Sequence, residues 1–347
     1  MTPSVADPTR VLAHPVVTVV MPVRNESGFI ELSLKAVLEQ DYPRDALEVI
    51  VSDGMSTDGT REQIRRFQER HSNLRLIDNP RKIVPCGLNL AIAKARGEVI
   101  VRVDGHTIIS HDYVSQCVAA LRRTRADNVG GAMRATGSGW FGRGVALATS
   151  SPFGVGGARF HYSTREESVD TVYMGAWARG TFDRFGPFDE EMVRNQDDEF
   201  NYRILEAGGR IVLVPGVRSI YTVRSTPRAL WRQYFQYGFW KIRVMQKHPG
   251  QVRFRHLVPP LFVLGLVGSF VASWVAPWAG VLCAGIGGSY GLANLASASV
   301  MASRGGWRQF PAVSLAFAIM HLSYGIGLLS GCTRFIPRLG AGEETAA

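Results

Sequence analysis

Apolar positions follow two regimes along the chain. Up to about residue 225 they form short runs separated by polar segments, and beyond His256 they form three long runs. The continuous, largely β-branched run Val16–Met21 predicts a strand buried on both faces. A helix is expected over about Gly28–Glu39, with Ser27 as its cap. Further strands are expected at Glu48–Ser52, Leu74–Asn79 and Glu98–Val103. Further helices are expected at Thr60–Arg70 and Cys86–Ala95, with Gly97 ending the second. Strand and helix alternating at this pitch predict an α/β fold with a mostly parallel, doubly wound, Rossmann-like sheet. Ligands of such sheets bind beyond the carboxyl ends of the strands. Those ends are Pro22–Glu26, Asp53–Thr60 and Asp104–His106, and all are polar. No internal repeat is evident.

The long apolar runs are Leu257–Ala276, Trp278–Met301 and Phe310–Cys332. Each is close to the ~20 residues that a bilayer-spanning helix needs. The second is rich in Gly, Ser and Ala, which suit close packing between helices in a membrane. Lys241, Arg243, Lys247, Arg253 and Arg255 precede the first run, and Arg304 and Arg308 lie between the second and third. By the positive-inside rule both sets face the cytosol, which puts the turn at Pro277 outside. Arg334 and Arg338 pull the other way for the C-terminus, so a re-entrant last run is the alternative. Residues 1–15 lack the apolar segment of a signal peptide, so the large N-terminal part is expected to stay cytosolic.

Charge sharpens this division. The 347 residues carry a net charge of +10, yet residues 1–206 hold 25 Lys+Arg against 27 Asp+Glu. From Ala207 to Gly342 there are 14 basic residues and not one acid. A nucleic-acid binder would place the excess on the soluble part, so membrane lipid is the expected partner and nucleic acid is not. At 46% hydrophobic and 20% charged, with four cysteines and no C-x-x-C pair, the chain is neither disordered nor a disulfide or zinc scaffold. Thr226–His248 interleaves aromatics with Arg228, Arg232, Lys241 and Arg243, as in a helix lying among headgroups. The expected organisation is a tail (1–15), an α/β domain (16–225), an interfacial helix and basic linker (226–256), about three membrane helices (257–333) and a second tail (334–347).

The strand ends carry the candidate chemistry. Glu26, in P-V-R-N-E, offers a carboxylate to a ribose hydroxyl or serves as an early-helix acid. Asp53, at the second tip, can accept from a base N–H, whereas Asp58 reads as a helix cap. Asp104 and His106 flank one glycine, and a carboxylate with an imidazole suits Mg²⁺ or Mn²⁺ bridging a diphosphate. Asp197, Asp198 and Glu199 are consecutive acids at a helix start. Three repelling carboxylates exceed what a cap requires, and such crowding raises the pKa of one, which is useful in a base.

Together and in this order, these blocks resemble family 2 glycosyltransferases of the GT-A fold, over about Val16–Val214. The resemblance implies nucleotide-sugar contacts at Pro22, Arg24, Glu26, Asp53 and Asp104, and metal at Asp104 and His106. His106 stands where that family's D-x-D motif has its second Asp. N-Q-D-D-E looks like the family's E-D motif with Gln196 replacing Glu, which selects Asp197 as the base. Gly175–Glu190, with Trp177, looks like the acceptor-side loop. The succinoglycan-biosynthesis type is the most similar subgroup, and W-R-Q-Y-F-Q-Y-G-F-W, with Arg232, Tyr234, Gln236 and Trp240, looks like its interfacial helix. Phe239 stands where the processive synthases carry the Arg of Q-x-x-R-W, and the spans are too few for a polymer channel. The resemblance therefore implies inverting transfer of a single hexose from a UDP-sugar to a polyprenyl-linked saccharide. The alternatives are a polyprenyl-phosphate sugar synthase and an inactive nucleotide-sugar binder.

Overall fold

The computed structural model describes residues 14–335, so Arg338 and most of both expected tails lie outside the described residues. The first part of the chain runs β1 (Val17–Val23), α1 (Ile30–Leu38), β2 (Leu47–Asp53), α2 (Thr60–Gln68), β3 (Leu74–Asp78), α3 (Val84–Ala93), β4 (Val99–Arg102), β5 (Thr107–Ile109) and α4 (Tyr113–Thr124). There follow β6 (Asn128–Thr136), α5 (Gly139–Thr149), α6 (Pro152–Val155), β7 (Glu167–Ser168), β8 (Tyr173–Ala178), α7 (Gly180–Phe185), α8 (Gln196–Glu206) and β9 (Ile211–Thr222). Four long helices close the chain: α9 (Pro227–Lys247), α10 (Phe254–Ala272), α11 (Pro277–Gly305) and α12 (Phe310–Phe335).

The sheet order is β3-β2-β1-β4-β8-β6-β9-β5, with β7 beside β9. β1 lies between two parallel partners, β2 and β4, which explains its unbroken apolar run. In register, Val23 faces Asp53 and Asp53 faces Asp78, so the polar tips share one edge. The parallel half follows the expected strand–helix alternation. The other half is mixed, because β8 runs antiparallel to both β4 and β6. Its strands hide their period. Met174 and Gly175 in β8 adopt left-handed backbone, and β6 shifts register against β9 after Gly131, where a Cβ would strike the Val217 carbonyl.

One core lies between the sheet and α1, α2 and α4, around Ile30, Leu34, Ile64 and Val114. Another lies on the opposite face, around Leu88, Trp177, Phe182, Phe188 and Phe200. A third joins the two regions of the chain: Val145 and Ala148 of α5 and Leu230 of α9 pack with Val313, Phe317 and Met320 of α12. The start of α1 differs from expectation. The Phe29 and Ile30 amides donate to the Glu26 carbonyl (2.9 and 2.8 Å), so Ser27 is no cap and its amide donates to Asp58 instead.

α10, α11 and α12 are long and apolar enough to cross a membrane. α11 turns most of its surface outward, and Val281 and Leu292 are 75% and 73% exposed, as lipid-facing side chains would be. α12 is more enclosed, since α9 lies along it at glycine contacts. A Cβ on Gly238 would meet the Tyr324 carbonyl, one on Gly327 the Phe235 carbonyl, and one on Gly331 the Phe239 carbonyl.

This packing revises the role of the basic stretch. Lys241 pairs with Asp198, Arg243 with Glu191, Lys247 with Asp189 and Glu191, and Arg255 with Asp170. These cations clamp α9 and the start of α10 to carboxylates of the α/β domain. They are committed there, and so count for less as headgroup contacts than their spacing implied.

Candidate active site

The polar strand tips open into a cavity of about 1270 Å³. Its walls run from Pro22–Glu26 and Asp104–His106, past Asp197 and Asp198, to Pro259, Tyr290 and His321 on the apolar helices. Two strand-end loops form its floor and are stitched together. The Asn25 amide donates to Ser56 Oγ (2.8 Å), the Glu26 amide to Thr60 Oγ1 (2.9 Å) and the Ser27 amide to Asp58 Oδ2 (3.0 Å). Asn25 and Met55 take left-handed backbone to allow this. Slight burial opposes ionisation of Asp58, but the Thr60 hydroxyl and the Ser27 and Thr60 amides hold it down to about 2. Gly59, not Asp58, is the N-cap of α2; Asp58 accepts from the Thr60 amide that opens the helix (3.1 Å) and staples the loops.

Pro22, Arg24 and Glu26 line the cavity. Asp53 does not: its buried carboxylate takes Arg61 (2.6 Å) and both the amide and hydroxyl of Ser56 (3.0 and 2.5 Å). It fixes the loop from behind, and its neighbours Ser52 and Gly54 form the wall. Glu26 meets His106 Nδ1 at 3.0 Å, so these two expected ligands are already joined.

Asp104 is gripped by Arg102, through Nε at 2.8 Å and Nη2 at 3.2 Å. Arg102 is buried, which opposes its charge, but the Asp104 and Asp197 carboxylates keep it raised and protonated. Its Nη1 finds no partner among the described residues although Arg102 lines the cavity. Sequence reading passed over Arg102 because a cation inside a strand looks like an edge residue; its place two residues before Asp104 was the available signal.

The three consecutive acids divide three ways. Glu199 is buried against Arg203 (2.6 Å) and His248 (3.2 Å) and supports α8. Asp198 takes Lys241 at 2.9 Å and Thr171 Oγ1 at 3.1 Å. Burial opposes ionisation of Asp198, but Lys241 outweighs it and the pKa falls. Asp197 accepts only the Asp198 amide (3.1 Å) and has no side-chain partner among the described residues. Burial first, and the Asp198 charge second, raise its pKa. A carboxylate facing a cavity, unpaired and raised, has the properties of a proton acceptor.

Gln196, Arg232, Tyr234 and Gln236 also line the cavity, and Gln236 accepts from Arg194 Nε at 3.1 Å. Trp177 and Trp240 do not reach it. Trp177 is buried behind β8 against Phe182, Phe188 and Phe200, because its ring fills the space left by Gly175. Trp240 packs on Phe239 and Phe335.

Among the described residues no three His, Cys, Asp or Glu side chains gather to hold a metal. Two side chains at the cavity wall keep free donor atoms. Asp104 keeps a lone pair on each oxygen beyond its Arg102 bonds, and His106 Nε2 has no partner among the described residues. Two protein ligands, completed by phosphate oxygens and water, suit a hard divalent cation better than an all-protein cage.

Residues 18–183 match the family model described as Glycosyl transferase family 2. Over those residues the chain is similar to family 2 glycosyltransferases. This glycosyltransferase is 28% identical, over 89% of its own length and 92% of the relative's, to the succinoglycan biosynthesis protein ExoA of Rhizobium meliloti. It is 24% identical to the dolichyl N-acetyl-alpha-D-glucosaminyl phosphate 3-beta-D-2,3-diacetamido-2,3-dideoxy-beta-D-glucuronosyltransferase of Methanococcus voltae, over 67% and 74% of the two chains. Among solved structures, the mannosyltransferase PcManGT of Pyrobaculum calidifontis, in complex with GDP-Man and Mn²⁺, superposes with a TM-score of 0.60 at 22% identity over 92% and 88% of the chains. That likeness establishes the fold, a GT-A-like mixed sheet.

Proposed function

We propose that this glycosyltransferase moves one hexose from a UDP-sugar to a lipid-linked saccharide, with inversion, at the cytosolic face of a membrane, in exopolysaccharide or cell-envelope glycan synthesis. The observation that carries the reading is Asp197: alone of the three acids it has no side-chain hydrogen-bond partner among the described residues, and it lines a cavity that continues from the strand tips to the apolar helices. The names of the relatives support a lipid-linked, polysaccharide-building context.

In this mechanism Asp197 takes the proton of an acceptor hydroxyl, and that oxygen bonds to C1 of the sugar as the C1–O bond to the diphosphate breaks. The electron pair leaves with the nucleotide. Arg102 holds the Asp104 carboxylate in place at the cavity wall. Asp104 and His106 would hold a divalent cation, Mg²⁺ or Mn²⁺, whose charge offsets that developing on the diphosphate. Pro22, Arg24 and Glu26 would seat the nucleotide, with Asp53 bracing them from behind. Holding donor and acceptor in line supplies much of the acceleration.

One observation favours a second reading. Arg224 and Arg232 line the cavity with no acidic partner among the described residues, as a phosphate acceptor would want. A polyprenyl-phosphate sugar synthase needs no general base. Purified full chain, offered a panel of UDP- and GDP-hexoses with a membrane lipid extract, separates the two when products are read by mass. A sugar added to a lipid-linked saccharide supports the first reading, a sugar on polyprenyl phosphate the second, and no transfer from any donor refutes both.

A further inference from the structure

Lys241 is an unusual residue to find in the wall of this cavity. It is buried, with only 7% of its side chain exposed, and its Nζ sits 2.9 Å from Asp198 and 3.2 Å from the Tyr202 hydroxyl, above the Tyr202 ring. Burying an ammonium is costly unless it is paired. Asp198 could have been satisfied more cheaply as an exposed helix-start acid. It is instead tied to a residue on α9, while Thr171, in the loop before β8, takes its other oxygen. Asp197, the preceding residue on α8, has only a backbone amide as hydrogen-bond partner among the described residues.

The second half of the observation is where α9 is held. On the side facing α12 it meets that helix at Gly238, Gly327 and Gly331, each a position where a Cβ would strike backbone. The same face packs Ile242 with Leu328 and Phe335. The chain of contact therefore runs from α12, an apolar helix long enough to cross a membrane, through α9 and Lys241, to Asp198 and the first turn of α8.

We propose that Lys241 is a positioning residue: by holding Asp198 against α9 it sets the first turn of α8 so that Asp197 faces the acceptor, which makes the α9–α12 pair part of the catalytic apparatus as well as an anchor. The inference rests on Asp197 being the base. Lys241 touches neither donor nor acceptor in this scheme. Its loss should therefore leave nucleotide binding in place and cost turnover alone. Side chains adjacent in sequence on a helix point apart, so a small rotation of α8 turns Asp197 away from the cavity.

The test uses the full chain in detergent, with the UDP- or GDP-hexose that the donor panel turns over and the same lipid extract as acceptor. Lys241→Met should lower kcat ~10–100-fold, the range expected of a small misplacement. UDP or GDP affinity, measured by calorimetry with Mn²⁺, should stay within about twofold. Lys241→Arg should recover most of the loss. Asp198→Asn, which keeps an acceptor for Lys241, should cost less than Lys241→Met. The double variant Lys241→Met/Asp198→Asn leaves no buried charge unpaired, so it should fold at least as well as Lys241→Met and cost no more than it, since both changes break one link. Wild-type kcat in Lys241→Met overturns the proposal. So does an additive double variant, or a parallel loss of nucleotide affinity and kcat, which would mark general damage. Asp197→Asn is measured alongside: if it turns over like wild type, the base reading fails and Lys241 falls with it. A dead Asp197→Asn beside an unaffected Lys241→Met removes only the role of Lys241.

Discussion

Replacing Asp197 with Asn separates proton acceptance from shape. The native carboxylate accepts one amide hydrogen bond, at 3.1 Å, and pairs with no side chain among the described residues. An asparagine oxygen can keep that bond, so little of the fold is at stake. What disappears is the ability to take a proton, and removing a general base typically costs ~10²–10⁴-fold in turnover. That corresponds to about 2.7–5.4 kcal/mol of transition-state stabilisation. Nucleotide affinity should hold, because Asp104, His106 and the Pro22–Glu26 loop are untouched. The pH profile supplies a second, signed expectation. Burial and the neighbouring Asp198 raise the Asp197 pKa, so the base protonates at higher pH than an ordinary aspartate. In the wild type, kcat/KM should fall as pH drops through that raised value, and Asp197→Asn should lack this limb. Initial rates of nucleotide release over a pH series, with calorimetric UDP or GDP binding as the control, give both readouts. Turnover of Asp197→Asn within a few-fold of wild type refutes the assignment. If Asp198→Asn is then dead, the base moves one residue along; if both turn over, the acceptor is already an anion.

Other expectations follow from the same geometry. Gly327→Leu drives a side chain into the Phe235 carbonyl at the α9–α12 contact and should cost ~1–3 kcal/mol, read as a lower melting temperature in detergent. Glu191 is pulled down to about 2 by its Arg243 and then its Lys247 hydrogen bonds, despite partial burial. Its stabilising effect is present above the ordinary glutamate value and is lost as pH falls toward 2, so melting followed from pH 5 to 2.5 should be less pH-dependent in Glu191→Gln. Activity should require Mg²⁺ or Mn²⁺, and Asp104→Ala should abolish both turnover and metal-dependent nucleotide binding; full activity in excess EDTA rules this out. The full chain should stay in the membrane fraction through a high-salt wash, and its recovery in the soluble fraction without detergent would refute the spans.

Local patterns carried the parallel half of the sheet, because each strand and helix there is a self-contained run with its own period. β6 and β8 were missed for a physical reason: glycines and left-handed residues at their bulges break the alternation that would announce a strand. Asp104 and His106 were legible because they flank one glycine at a strand tip. The choice of Asp197 over Asp198 came from the family motif, and no local property of D-D-E distinguishes them. Their difference is made by Lys241, 43 residues away from Asp198, which charge patterning had assigned to headgroups. Trp177 shows the converse error. An aromatic within a recognisable motif read as a contact for the acceptor, whereas Gly175 two residues earlier opens space for its ring in the core.

The packing of α12 on α5 has a consequence for how the chain is made. Val145 and Ala148 find their partners in Val313, Phe317 and Met320, and Gly144 lies against Ala312. The ribosome releases α5 long before α12, and at roughly 5–20 residues per second the gap between Thr149 and Phe335 lasts about 10–40 s. Throughout that interval the sheet can assemble, yet the part of the α5 face that packs on α12 lacks its partner. A chain cut short before α12 would expose the same face permanently. Synthesis of α12 therefore ends a vulnerable stage, and the placement of α10 and α11 becomes the step that delivers α12 to the waiting surface.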